Sequence, residues 1–135
     1  MEDLRVVFID WNHTLSYNRF WGQLGVDSDV FKQIEQSLFI DNKHLLKPWM
    51  KGEITSEEVI KVVSLDTNIS FAFLLAEFIK SCESMQLCDM RILELVAKIR
   101  AQGIKVVIAT DNMDAFERYT APALKLNDYF DAILN

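Results

Sequence analysis

Little in this 135-residue sequence loosens the chain or staples it: there are four glycines, two prolines and two cysteines. With half the residues apolar, so few glycines and prolines exclude a disordered or low-complexity chain. Cys82 and Cys88 cannot make a disulfide framework, and their six-residue spacing does not suit a redox pair. Both are expected as buried or partly buried thiols. No leader-like stretch precedes the first apolar run, so the expectation is a cytoplasmic protein. Lysine and arginine never cluster and the net charge is −6, so nucleic acid is not an expected partner. The longest apolar run, Ile69 to Ile79, is too short to span a bilayer and carries Glu77, so no membrane partner is expected either. A chain of this length makes about one domain and buries roughly two-thirds of its unfolded surface. A small anion would have to be held locally, by backbone N–H groups, a lysine or a metal ion.

What is present begins with LRVVFIDWNHTL, Leu4 to Leu15. Val6 to Ile9 reads as a strand buried on both faces that ends abruptly in Asp10, and Asn12, His13 and Thr14 follow at once. A carboxylate, an amide, an imidazole and a hydroxyl thus converge at a strand's carboxyl end, where open α/β sheets keep their ligand crevice. Ile104 to Ala109 repeats the pattern and ends in Thr110, Asp111 and Asn112. Tyr129 to Leu134 reads as a third strand. Strands alternating with helices predict parallel pairing and right-handed crossovers, which bring Asp10 and Thr110 to one sheet edge.

From about Tyr17 to Glu83 the chain reads as helical, an insertion after the first strand. Val30, Phe31, Ile34 and Leu38 recur at helical spacing behind Asp27 and Ser28 as caps. Lys47, Pro48, Trp49 and Gly52 read as an irregular connection. Thr55 and Glu58 form a capping box, and Ser70 to Cys82 makes a further helix. Asp89 caps the next helix and Gly103 closes it. Met113 to Leu124 is expected to be broken or kinked at Pro122. Trp11, Trp21 and Trp49 read as packing residues, and His13 as a loop-orienting histidine rather than a base.

VVFIDWNHTL and KVVIATDN resemble the first two motifs of the haloacid dehalogenase-like hydrolases, an apolar strand running into Asp-x-Asp-x-Thr and an apolar strand ending in Thr or Ser. GEITSEEV, LELVAKIRAQG and LNDYFDAILN are similar to ordinary family sequence in the same order. The resemblance implies a three-layer, Rossmann-like α/β core over 1–16 and 84–135 with a helical cap over 17–83. It implies a phosphatase acting on a small phosphorylated metabolite through an aspartyl-phosphate. Asp10 resembles the nucleophile and a magnesium ligand. Asn12 stands where phosphatases of the family carry the acid–base aspartate, whose carbonyl also binds Mg2+. Thr110 resembles the phosphate-holding residue, helped by the N–H groups of Trp11, Asn12 and Asp111.

Two departures shape the expectation. Asn12 is an amide and cannot move a proton near neutral pH, which removes a contribution of about two to four powers of ten. The family's later lysine and metal-binding acids have no counterpart, so magnesium would have only Asp10 and the Asn12 carbonyl from these residues. Activity of the 135 residues is therefore expected to be weak or absent. The alternatives are a metal-independent dehalogenase using Asp10 on carbon, or a non-catalytic binding or regulatory protein. The first strand is expected at a sheet edge covered by a further chain segment or by self-association.

Overall fold

The computed structural model describes Asp3 and residues 5–135; Leu4 of the opening run lies outside them. Three strands, β1 (Val6–Ile9), β2 (Lys105–Ala109) and β3 (Ala132–Leu134), form a parallel sheet in the order β1-β2-β3. Val7 pairs with Val106 and Ile9 with Ile108, while Ile108 pairs with Ile133. Sequential strand order with right-handed crossovers places both connections on the same face. Val106 and Ile108 accordingly share a core with residues of both connections, among them Val96, Phe116 and Leu126. Phe8 points to the other face, where it is 62% exposed. The sequence reading of β1 as buried on both faces is thus corrected, since its Phe8 side is open, whereas the expectation that β1 lies at a sheet edge holds.

The segment between β1 and β2 carries helices α1 (Asp29–Glu35), α2 (Leu46–Met50), α3 (Ser56–Thr67), α4 (Phe71–Glu83) and α5 (Arg91–Ala101). Ser28 caps α1 by accepting from the Phe31 N–H, and α1 continues into a wider π-turn over Gln36–Asp41. The capping box of Thr55 and Glu58 forms at the start of α3. Asp89 Oδ1 accepts from the Arg91 N–H at 2.9 Å, and Gly103 closes the far end of α5 at φ 76°, where a side chain would be strained. The stretch read as irregular is helical as far as Met50 and turns only at Lys51 and Gly52. Pro48 sits in the first turn of α2, where a missing N–H costs no intrahelical bond.

After β2 the chain is helical over 114–123, with a π-turn at Phe116–Thr120 and α6 at Ala121–Ala123. The expected break at Pro122 is absent because the widened turn precedes the proline, and the helix runs past it. Lys125, at φ 52°, then starts a short helix, α7 (Leu126–Tyr129). That shortens the third strand from the six residues expected to three. Asp131 makes the junction: its N–H donates to the Val106 carbonyl at 2.8 Å, and its Oδ2 accepts from the Val106 N–H at 2.8 Å.

Two apolar clusters result. One lies under the sheet around Trp11, and the other lies among the helices around Trp21, Trp49 and Phe78. Phe20 packs against both. All three tryptophans are buried packing residues, and the indole N–H groups of Trp21 and Trp49 donate to the Leu74 carbonyl and Ser56 Oγ. Cys82 is buried, and its thiol is pushed up to about 12 by desolvation; Cys88, expected to be at least partly buried, is exposed. No helix among the described residues is long and apolar enough to cross a membrane.

Candidate functional site

At the carboxyl ends of β1 and β2 lies an open cleft of about 750 Å³. Asp10, Asn12 and His13 reach it from the first loop, Thr110 and Asp111 from the second, and Met50 from the end of α2. The strand register explains the meeting. Ile9 lies opposite Ile108, so the residues that leave the two strands emerge side by side.

The first loop is a tight turn folded on Trp11. Its carbonyl accepts from the N–H groups of Leu15 at 2.9 Å and Ser16 at 3.1 Å, while the buried indole anchors it against Phe116. His13 sits at φ 57°, an uncommon conformation for a residue with a side chain, and its N–H donates to the Ser16 carbonyl at 2.9 Å. Asp10 is exposed, and its Oδ1 accepts from the Trp11 N–H at 2.7 Å. Of the three amides expected to face an anion, that of Trp11 is therefore engaged by Asp10. Those of Asn12 and Asp111 find no acceptor among the described residues.

Thr110 carries the most informative atom. The residue is only 8% exposed, its N–H donates to the Leu134 carbonyl at 2.9 Å, and its Oγ1 is buried with no hydrogen-bond partner. A buried hydroxyl without a partner costs about 1–3 kcal/mol. The hydroxyl thus stands at the wall of the cleft with a hydrogen bond to give. Behind it, Asn112 is buried and accepts from the Met113 N–H, and the Asn112 N–H donates to Asn135 Oδ1 at 2.8 Å.

No family model matches the chain, and no curated protein matches it by sequence. Solved structures do match in three dimensions. One is the HAD family enzyme bt-2542 from Bacteroides thetaiotaomicron, in complex with magnesium and inorganic phosphate. It superposes with a TM-score of 0.61 at 15% identity, over 98% of this chain and 68% of that one. Another is L-2-haloacid dehalogenase from Xanthobacter autotrophicus with chloropropionic acid covalently bound. Its TM-score is 0.64 at 13% identity, over 98% of this chain and 57% of that one. The chain has the haloacid dehalogenase-like fold. Within that fold it spans 57% to 68% of these neighbours' length, and its described sheet ends two strands in the acidic and hydroxyl groups of the cleft.

Magnesium is bound in the first of these neighbours. The ion demands near-octahedral oxygens. Asp10 and the Asn12 carbonyl supply two, and no group of three or more His, Cys, Asp or Glu converges among the described residues. These residues alone do not fit it. Sequence reasoning missed Met50 and Asn135 as neighbours of the cleft, since neither lies near the two motifs and no local pattern marks them.

Proposed function

We propose that the cleft holds a phosphoryl group and that the chain is a hydrolase of small phosphomonoesters acting through Asp10. The observation that carries this reading is the buried, unpartnered Thr110 hydroxyl beside the Asp10 carboxylate in one cleft. Thr110 Oγ1, with the N–H groups of Asn12 and Asp111, would stabilise the charge on the phosphoryl oxygens. Asp10 Oδ attacks phosphorus as the ester P–O bond breaks and the alcohol leaves with the bonding pair. Water then cleaves the aspartyl-phosphate, returning the Asp10 carboxylate and releasing inorganic phosphate. Asn12 cannot protonate the leaving alcohol, so this chain favours esters of acidic alcohols that leave as anions. Residues 17–83 act as a cap on a core of 1–16 and 84–135.

The test is incubation with p-nitrophenyl phosphate followed by intact mass. Wild type is expected to gain one phosphoryl group on Asp10 and to release nitrophenolate, whereas Asp10→Asn does neither. Release that persists in Asp10→Asn would overturn the reading.

The Asn12 amide favours one second reading, in which Asp10 displaces halide from a haloacid. Chloride release from chloropropionate without added metal would select it over the phosphatase.

A further inference from the structure

Resting on the phosphoryl-site reading, we infer that Met50 is the substrate-selecting residue of the cleft, that a hydrogen-bonded strut fixes it there, and that the preferred esters carry an uncharged apolar group. Met50 is the one described residue of the helical insert that lines the cleft, and it is 37% exposed. Its position is set by its neighbour. The Trp49 indole is fully buried and donates to Ser56 Oγ at 3.0 Å; Ser56 Oγ donates to Asp114 Oδ1 at 2.5 Å. The Ser56 N–H reaches both Asp114 oxygens at 3.2 Å. Arg118 then clamps Asp114 at 2.8 Å and Glu57 at 2.6 Å.

Asp114 belongs to the helix that starts four residues after Thr110. One rigid chain of contacts thus runs from the anion-binding loop through Asp114, Ser56 and Trp49 to Met50. Beyond Met50 the backbone turns at once, with Gly52 at φ 71° donating its N–H to the Trp49 carbonyl at 3.0 Å. The Met50 backbone is therefore fixed beside the cleft that Asp10 lines, and its exposed side chain contributes to that lining. Leu134 and Ala109 extend the apolar lining, while Asp10 and Asp111 contribute carboxylates that repel a second anionic group on the ligand. The phosphoryl oxygens go to Thr110 and the ester carbon chain goes to Met50.

The experiment is calorimetric titration of the full chain with methyl-, propyl- and pentylphosphonate, phosphonoacetate and inorganic phosphate, in buffer containing magnesium so that every arm is equivalent. Affinity is expected to rise about fourfold per added methylene, the value for burying one CH2 group. Phosphonoacetate should bind more weakly than propylphosphonate. Met50→Ala and Ser56→Ala should each flatten the chain-length dependence to less than twofold overall. Thermal melts would identify any variant that fails to fold, and Met50→Leu, which keeps the apolar contact, should restore the slope.

Equal affinity for all alkylphosphonates, or a slope unchanged in Met50→Ala, would overturn the inference while leaving phosphate binding in place. A slope lost in Met50→Ala but kept in folded Ser56→Ala would overturn the strut. Failure of every phosphonate and of phosphate to bind would defeat the phosphoryl-site reading itself and the inference with it.

Discussion

The sharpest perturbation of the proposed chemistry is Asn12→Asp. Asn12 is exposed at the cleft, one residue beyond the buried Trp11 that anchors the loop, so a carboxyl fits without repacking. It would stand two residues from Asp10, with Cα atoms no more than about 7 Å apart. At an effective dielectric constant of about 20, two charges at that distance repel by about 2 kcal/mol. The repulsion disfavours a second negative charge beside Asp10, so the new carboxyl holds a proton more readily and can donate it. General acid catalysis is worth about two to four powers of ten, or roughly 3–5 kcal/mol of barrier. That gain belongs to alcohols that need a proton to leave. Steady-state kcat/KM for an alkyl phosphate should rise about a hundredfold or more, while the value for p-nitrophenyl phosphate changes by less than about threefold. No gain with the alkyl ester would show that protonation of the leaving group does not limit this site. An equal gain with both esters would show that the substitution acts on something other than the proton.

Thr110→Val should separate binding from stability: phosphate affinity falls about tenfold by calorimetry, while urea unfolding shows stability unchanged or higher by about 1 kcal/mol, because a buried unpartnered hydroxyl is removed. Thr55→Ala should cost about 1 kcal/mol in the same unfolding assay through loss of the capping box of α3. Acid sensitivity should track the Asp114 joint. Burial works to raise the Asp114 pKa, but hydrogen bonds from Ser56 and Arg118 outweigh it and hold the carboxyl below its usual range; the Arg118 hydrogen bond does the same for Glu57. A folded value below the unfolded one means stability that is present above about pH 4 and lost as pH falls through the folded values. Melting temperatures of Asp114→Asn should accordingly decline less between pH 5 and pH 3 than those of wild type.

Both arms of the cleft were legible because their signal is local. An apolar strand that stops at Asp10, a second that stops at Thr110, the Thr55–Glu58 box and Gly103 each occupy a few adjacent residues. Parallel order then followed from the alternation of elements. What escaped the sequence depends on distant partners. Pro48 reads as a breaker until its place in the first turn of α2 is known, and Pro122 reads as a kink until the preceding π-turn absorbs it. Phe8 looks like core because a strand's pattern does not say which face its helices will cover. The roles of Met50 and Asp114 arise from hydrogen bonds that span 58 residues, and no window of sequence contains them. The Thr110 hydroxyl is the opposite case, a residue visible from the start whose importance lies in the contact it does not make.

The pairing of Val6 with Lys105 closes about three-quarters of the chain into a loop. Helices of the insert can form from local contacts, whereas joining such distant residues must overcome the entropy of that closure and comes late. Asp10 and Thr110 are neighbours only after β1 has docked on β2, so the cleft is assembled in one of the last folding events. A ribosome would release a helical body well before it releases a competent site, and ligand binding would report completion of the fold more strictly than helix content does.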